Sequence, residues 1–315
     1  MTGATTERTV PAAAPKEPAR PPVRARRPWT RDRVETLVFK VLRWVVIAFF
    51  LVTTLFPFYY MVLLSLRTIQ QFLLDPANLS FLSHVSGGGY ATVLKPVSEG
   101  GQGFLIFLRN SGIVAILTVL VTLVVSIPGA YAVSRLKFFG HRQVHFLFLA
   151  VYMFPSILLA IPLFAFFTRL GLRGSLFALV IVYISQTVPV SIYMMRNYFQ
   201  TIPRSLEEAA MVDGGSRLVV IWRISLPLAR PAIMATSLYV FMIAWNEYLF
   251  ALLFLVEDRD HWTVPLGLAL LSGSVEIPTT VLMAGSVILT MPIVLLFYLT
   301  ERLLTEGLTS GAEKG

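Results

Sequence analysis

The chain of 315 residues contains no cysteine, and only 14% of its residues are charged. The absence of cysteine excludes disulfide bonds and thiolate metal sites, and it leaves the redox compartment undetermined. The scarcity of charge excludes an ordinary soluble domain, because the surface of such a domain needs more charged side chains. Hydrophobic residues make up 56% of the sequence, and its mean hydropathy is +0.73. This composition predicts an all-α protein that crosses a membrane several times.

The sequence also lacks the common signatures of nucleotide and metal sites. No glycine is followed by lysine, so the chain has no phosphate-binding loop of the G-x4-G-K-[ST] type. His141 and His145 have a spacing that can ligate a metal, but no third ligand is nearby, so no metal is expected. No set of nucleophile and base is recognisable either. The chain is therefore predicted to be non-catalytic and to bind no cofactor of its own.

Residues 1–36 differ in composition from the rest of the chain. They are rich in proline, alanine and arginine and have almost no apolar periodicity. Such a segment cannot bury enough surface to order itself, so a disordered basic cytoplasmic tail is predicted, with contact to anionic lipid as an alternative. A cleaved signal peptide is not expected, because the apolar run that follows begins late and is too long.

Six apolar runs are long enough to cross a membrane. They lie near residues 41–66, 105–133, 144–168, 175–195, 231–255 and 281–300. Polar residues at 185–187 and Pro189 interrupt the fourth run, which spanning helices tolerate. Most of the 26 lysines and arginines fall on the side of the N-terminus, so the positive-inside rule places both termini in the cytoplasm. This topology explains the net charge of +9, and no nucleic-acid partner is expected.

The runs predict the organisation of the chain after the tail. Residues 37–104 form the first transmembrane helix and an external loop, which caps the bundle or, alternatively, contacts an external partner. Residues 105–306 form the transmembrane core, with a cytoplasmic loop at 201–227 that we call the elbow. Residues 307–315 form a C-terminal tail.

The elbow is polar and carries signals of two short helices. Pro203 and the sequence SLEE at 205–208 predict a helix that begins with a capping box between Ser205 and Glu208 and continues to Val212. The sequence DGG at 213–215 predicts its end, because glycine adopts the left-handed backbone of a helix C-terminus. Ser216 is expected to cap a second helix that ends at Ile224. A membrane protein with such an elbow on its basic side is predicted to offer it to another protein.

The first elbow helix has a face suited to close contact. Leu206, Ala209, Ala210 and Asp213 lie near one stripe, where small alanines let another surface approach and Leu206 or Met211 anchors it. An alternative is that the elbow packs on its own membrane domain and that Glu208 only caps the helix.

The elbow also reproduces a family signature. Glu208-Ala209-Ala210, Gly214, Ile224 and Leu226-Pro227 match the pattern E-A-A-x3-G-x9-I-x-L-P, and in this the chain resembles the permeases of bacterial ABC importers. More narrowly, four segments resemble the second permease of maltose-type and trehalose-type carbohydrate importers. They are FLRNS at 107–111, AYAVSRL at 130–136, WNEYL at 245–249 and GLTSGAEKG at 307–315. The resemblance covers the chain from about residue 37, and Glu301 and Glu313 depart from the residues usual in the family.

The resemblance implies a type I ABC importer fold in the bacterial cell membrane and a set of partners. These are a sister permease, an external solute-binding protein and two cytoplasmic ATPases, which bind the ATP and Mg. The residues implied to couple to an ATPase are Glu208, Ala209, Ala210, Met211, Asp213, Gly214, Ile224, Leu226 and Pro227. The tail residues implied as a second contact are Gly307, Leu308, Thr309, Gly311 and Lys314, with a frayed terminus as the alternative.

The resemblance further implies that the solute is a carbohydrate, such as the disaccharides trehalose or maltose, with another sugar or a glycerol-phosphate-type solute as alternatives. Polar and aromatic residues within the spans are candidates for the translocation path, because carboxylates accept hydrogen bonds from sugar hydroxyls and aromatic rings stack on sugar faces. These candidates are Gln186, Trp245, Asn246, Glu247 and Tyr248. Alternatively, Glu247 is a structural link or gate.

Two other functions are alternatives to an ATP-driven permease, namely a secondary transporter and a membrane scaffold. A secondary transporter would have inverted repeats and paired broken helices, and no such internal repeat is recognisable. A membrane scaffold without a solute would tolerate the loss of Asn246 and Glu247.

Overall fold

The computed structural model describes residues 31–80 and 85–312, without the side chains of residues 31–33 and 302–312 and of several residues between Arg142 and Tyr152. All regular secondary structure in these ranges is helical, which confirms the predicted all-α class. The chain divides into two compact units, Met1–Leu55 and Phe56–Gly315, and the site described below lies in the second. Residues 1–30, which form most of the predicted basic tail, lie outside the described residues.

Fourteen α-helices follow one another in the described residues. They are α1 (Arg31–Ser65), α2 (Ile69–Leu74), α3 (Gly88–Leu94), α4 (Phe104–Arg135), α5 (His141–Met153), α6 (Ala160–Arg169), α7 (Leu176–Thr201), α8 (Arg204–Val212), α9 (Arg217–Val220), α10 (Leu226–Leu228), α11 (Arg230–Asn246), α12 (Leu249–Leu255), α13 (Val264–Ser272) and α14 (Thr279–Ala312). A π-helical turn, Ile221–Ser225, joins α9 to α10. Helix α1 begins within the range assigned to the tail, so residues 31–36 are helical.

Four helices of the described chain are long and apolar enough to cross a membrane. They are α1 from Val34, α4, α7 and α14 as far as Glu301. A fifth candidate is the bent pair formed by Arg217–Leu228 and α11, whose axes differ by 73°. These helices confirm a protein with several apolar spans, whereas the count of six and the side of the termini remain predictions.

The predicted third span, 144–168, is not one continuous helix. Helix α5 ends at Met153, and α6 begins at Ala160 after a 3₁₀ turn, Ser156–Leu159. Pro155 explains the break, because a proline pushes the preceding residue away from helical geometry. Phe154 accordingly has an extended backbone, with φ −78° and ψ 124°.

The fourth predicted span is confirmed as one continuous helix, whereas the fifth is not. The polar interruption of the fourth does not break α7, because the hydroxyls of Ser185 and Thr187 donate to the carbonyls of Val182 and Tyr183 within the same helix. The predicted fifth span, 231–255, is instead divided into α11 and α12. Glu247, expected well inside a continuous helix, lies at this break with an extended backbone.

Helices α4 and α7 pack together through the centre of the second unit. Small polar residues lie at this contact, and the buried hydroxyls of Thr122 and Thr187 are 2.9 Å apart. Such interhelical hydrogen bonds and close approaches are typical of helix pairs in lipid. The contact joins the two helices that end beside the elbow, at Arg135 and Thr201.

Polar residues also fix the beginning of α4. The side-chain amide of Asn110 donates to the carbonyls of Asp260 and Trp262, at 2.8 and 3.0 Å. The hydroxyl of Ser111 accepts from the backbone N–H of Val264 at 2.8 Å. These bonds satisfy backbone groups of the segment between α12 and α13, so residues of the FLRNS sequence tie two distant parts of the chain together.

Candidate functional site

The elbow consists of α8, a sharp turn and the helical segment from α9 to α10. Pro203 occupies the N-cap position of α8, and no described side chain caps this helix. The predicted capping box between Ser205 and Glu208 is therefore wrong. Because the helix begins at Arg204, Ser205 already lies within its first turn and cannot take the N-cap role.

The predicted end of the first elbow helix is confirmed. Helix α8 ends at Val212, and Gly214 adopts the left-handed conformation with φ +87°. The N–H groups of Gly214 and Gly215 donate to the carbonyls of Met211 and Ala210 at 3.1 and 3.0 Å. These bonds satisfy carbonyls at the end of the helix, and they require a residue that tolerates a positive φ.

The second elbow helix is longer than predicted. Ser216 precedes α9 as its N-cap with an extended backbone, but no described side-chain bond is made by its hydroxyl there. The helical path continues beyond the expected end at Ile224 through the π turn to Leu228. At Ala229 the chain then bends by 73° into α11, so the elbow leads directly into a membrane helix.

Glu207 is the elbow residue that sequence reasoning missed. It is buried, with 6% of its surface exposed, although its neighbour Glu208 is exposed. The Glu207 carboxylate forms an ion pair of 3.0 Å with Nε of Arg135 and accepts hydrogen bonds from Tyr131 at 3.1 Å and Ser225 at 3.0 Å. The segment AYAVSRL contains two of these partners, but nothing in the sequence pairs them with a carboxylate more than seventy residues later.

The outer face of the elbow exposes large apolar side chains. The exposed fractions are 87% for Val212, 69% for both Leu218 and Trp222, 46% for Leu206 and 41% for Met211. Of the predicted coupling residues, some are exposed, namely Glu208, Ala209, Met211, Asp213, Gly214 and Pro227, and others are half-buried, namely Ala210, Ile224 and Leu226. Leu226 packs against a buried cluster that includes Met195 and Phe199 of α7. One face of the elbow thus packs against α7. The other, which we call the free face, is formed by the exposed side chains of Leu206, Glu208, Met211, Val212, Leu218 and Trp222.

The predicted tail contacts have no described side chains. The backbone of residues 307–311 belongs to α14, which carries Gly307, Leu308, Thr309 and Gly311. Lys314 lies outside the described residues. The tail contact therefore stays a prediction.

The five candidates for the translocation path are not gathered at one surface. Gln186 lines a cavity of about 500 Å³ together with Ser156, Ser185 and Tyr239, between α5, α7 and α11. Trp245 is buried, and its indole N–H donates to the carbonyl of Leu289 at 2.9 Å. Neither Trp245 nor the other three residues of the segment WNEY are among the side chains that line this cavity in the described structure.

The carboxylate of Glu247 is fully engaged inside the protein. It accepts hydrogen bonds from the backbone N–H groups of Phe250 at 2.9 Å and Ala251 at 3.3 Å, at the beginning of α12. It also accepts a hydrogen bond of 2.5 Å from the buried hydroxyl of Tyr183. Glu247 therefore links α7, α11 and α12, an arrangement that favours the structural interpretation of this residue. Its neighbours Asn246 and Tyr248 are exposed.

Comparisons with known proteins extend these observations. The family described as binding-protein-dependent transport system inner membrane component matches residues 126–308. The chain is 38% identical to the inner membrane ABC transporter permease protein YcjP of Escherichia coli over 273 residues, which cover 85% of this chain and 94% of that protein. It is 40% identical to the trehalose/maltose transport system permease protein MalG of Thermococcus litoralis over 262 residues, which cover 83% and 92%.

A solved structure has the same fold. It belongs to a bacterial ABC transporter involved in the import of the acidic polysaccharide alginate. The TM-score is 0.72 at 23% sequence identity, and the superposition covers 90% of this chain and 99% of that chain. The similarity therefore concerns the fold of most of the chain.

Proposed function

We infer the function of this chain from its family: it belongs to the inner membrane components of binding-protein-dependent transport systems, the permeases of bacterial ABC transporters. It is a multi-pass protein of the bacterial plasma membrane. As a permease it provides the path through the membrane. The identity of the sugar, the partners and the coupling to ATP are proposals, supported by the relatives and by the residues of the elbow and the cavity.

We propose that the solute is a carbohydrate, a disaccharide such as trehalose or maltose. Relatives whose names specify these sugars support this choice, including the trehalose transport system permease protein SugB of Mycobacterium tuberculosis, which is 36% identical over 217 residues. The cavity beside Gln186 supports it as well. Its volume of about 500 Å³ suits a small ligand, and Ser185, Gln186 and Tyr239 offer donors and acceptors for sugar hydroxyls.

We propose further that the elbow couples the permease to a cytoplasmic ATPase. The observation that carries this proposal is the free face of the elbow, where Val212, Leu218 and Trp222 are exposed beside Glu208. A short helix that projects from the membrane with exposed apolar anchors suits insertion into a groove on another protein. The ATPase binds ATP and Mg, while this chain acts as a non-catalytic subunit.

The complete importer contains a sister permease, two ATPases and an external solute-binding protein. ATP binding moves the ATPase pair, and each elbow moves with its ATPase. The membrane helices then alternate between two arrangements that open the cavity to opposite sides, biased by differential binding of the partners. The bend at Ala229 connects the elbow directly to α11, whose Tyr239 lines the cavity.

Two substitutions in the elbow test this function. Gly214→Pro cannot adopt φ +87°, because proline fixes φ near −65°, so the turn of the elbow must change. Glu208→Lys reverses the charge on the free face. Both variants are expected to insert into the membrane but to copurify with less ATPase and to take up less sugar. Gly171→Pro is the matched control, since Gly171 has a φ of +70° in the turn after α6, and it should retain ATPase copurification. Normal ATPase binding and uptake by both elbow variants would contradict the proposal.

A further inference from the structure

We propose that Glu207 is a positioning residue that locks the elbow to the ends of α4 and α7, so that movement of the elbow is transmitted to the membrane helices. This inference rests on the proposed function of the elbow and adds the connection between the elbow and the membrane. It starts from a residue with no assigned role, one position before the family signature.

The Glu207 carboxylate joins three separate elements. One oxygen, Oε1, accepts from Nε of Arg135 at 3.0 Å and from the hydroxyl of Ser225 at 3.0 Å. The other oxygen, Oε2, accepts from the hydroxyl of Tyr131 at 3.1 Å. Tyr131 and Arg135 lie on the last two turns of α4, and Ser225 lies in the π turn. The first elbow helix is thus bonded both to a membrane helix and to the second half of the elbow.

Arg135 extends the connection to a fourth element. Its Nη2 donates to the carbonyl of Ile202 at 2.8 Å, and Ile202 is the C-cap of α7. The guanidinium group therefore bridges Glu207 and the end of the helix that leads into the elbow. The planar guanidinium group holds its donors in a fixed geometry, with Nε directed at Glu207 and Nη2 at Ile202, whereas the three donors of a lysine rotate about a single nitrogen.

The burial of this group distinguishes it from a surface ion pair. The exposed fractions of the Arg135 and Glu207 side chains are 6% and 8%. A buried ion pair is a weak source of stability, because the cost of removing both charges from water offsets their attraction. The hydrogen bonds of this pair nevertheless restrict the orientation of both side chains, because each oxygen of Glu207 has a partner. We therefore assign it the role of fixing one orientation of the elbow on the membrane helices.

The π turn supports the same role. Its wider hydrogen-bonding ring, in which the N–H of Leu226 donates to the carbonyl of Ile221, is rare in proteins and often lies at functional sites. Ser225 lies at the end of this turn, buried against Glu207, and the next few residues lead through the 73° bend into α11. The network therefore connects α8 to α4 and α7 by side-chain bonds and to α11 through the π turn, so a displacement of α8 can move all three helices.

The test uses the complete importer, with the sister permease, ATPases and solute-binding protein, in proteoliposomes. Glu207→Gln removes the charge and keeps the shape of the side chain. Glu257→Gln makes the same change at an exposed carboxylate outside the elbow, which also pairs with an arginine, Arg173, at 2.6 Å, and it serves as the matched control. Three quantities are measured for each: the amount of ATPase that copurifies, the rate of ATP hydrolysis, and the number of sugar molecules transported per ATP hydrolysed.

Glu207→Gln is expected to retain its ATPase and to transport at least about fivefold less sugar per ATP, the lower end of typical coupling effects between sites. Glu257→Gln is expected to leave all three quantities unchanged, because its ion pair is exposed to solvent and lies outside the elbow. An unchanged ratio of sugar to ATP in assembled Glu207→Gln would overturn the inference. Failure of the unsubstituted chain to copurify with an ATPase would overturn the proposed function itself, so the two failures are distinguishable.

A second variant covers the case in which Glu207→Gln does not assemble. The double variant Glu207→Met with Arg135→Met replaces the ion pair by apolar side chains of similar size, a change that buried pairs often tolerate. It is expected to assemble and to show the same loss of sugar transported per ATP. A normal ratio, or failure of both variants to assemble, would show that the network only stabilises the fold.

Discussion

Replacing Glu247 with alanine tests whether this carboxylate holds the broken helix of the membrane core together. The change removes the carboxylate that accepts from two first-turn N–H groups of α12, a contribution like that of a helix cap, about 1 kcal/mol. It also leaves the Tyr183 hydroxyl, whose residue is 0% exposed, without its acceptor, at a cost of about 1–3 kcal/mol. We therefore expect Glu247→Ala to lower the free energy of unfolding by about 2–4 kcal/mol.

The assay is denaturant unfolding of the purified chain in detergent, followed by tryptophan fluorescence. Asn246→Ala is the matched control, because its side chain is exposed and donates only to the carbonyl of Met242 in its own helix. The control should change the free energy of unfolding by less than about 0.5 kcal/mol. Equal stability of the two variants would refute the structural role of Glu247. If Glu247→Ala were as stable as the unsubstituted chain but failed to transport sugar, Glu247 would be a solute contact instead.

Two further predictions concern packing and the elbow face. Gly267→Ala should lower the free energy of unfolding by about 1–3 kcal/mol, because the added Cβ would lie 2.5 Å from ring carbons of Phe107. Gly112→Ala is the control and should not destabilise the chain, because its Cβ would meet no described atom within 4 Å. Equal unfolding midpoints for these two variants would contradict the packing argument. Trp222→Ala should reduce ATPase copurification without changing the stability of the permease, because Trp222 is 69% exposed on the free face. Trp245→Ala should instead destabilise the permease by about 3–5 kcal/mol, because Trp245 is 4% exposed. Full ATPase binding by Trp222→Ala would remove Trp222 from the contact.

The elbow could be predicted from the sequence to the extent that its signals are local. Gly214 ends α8 where the glycine pair predicts an end, since the left-handed conformation is a property of that residue and its neighbours. The beginning of the helix was predicted less well. Ser205 and Glu208 have the spacing of a capping box, but Pro203 takes the N-cap position and places both residues inside the helix. A spacing pattern does not decide which residue begins the helix.

The breaks in the membrane helices could not be predicted from proline alone. Pro189 lies inside a continuous helix, whereas Pro155 separates α5 from α6. The break at Glu247 has neither proline nor glycine beside it. There the carboxylate itself caps the next helix, and this use of Glu247 depends on Tyr183, which lies on a different helix. Such long-range bonds determine the structure without a local pattern.

The role of Glu207 could not be predicted for the same reason, because its partners lie on other elements of the chain. Sequence reasoning assigned the exposed Glu208 to the partner contact and gave its neighbour no role, because two adjacent acidic residues look alike on a polar helix. The distinction arises from packing, which places Glu207 against the end of α4 and leaves Glu208 outside. By contrast, the apolar runs sufficed to predict an all-α membrane protein, since their length reflects the thickness of the bilayer directly.

Cross-linking from the free face of the elbow tests the central claim most directly. The chain has no cysteine, so Val212→Cys introduces a unique thiol at a position that is 87% exposed. In the assembled importer this thiol should cross-link to an ATPase subunit and resist a membrane-impermeant reagent added from outside. Val275→Cys, in the turn after α13, should react with that reagent instead. Labelling of Val212→Cys from outside the cell, with no cross-link to an ATPase, would contradict the account.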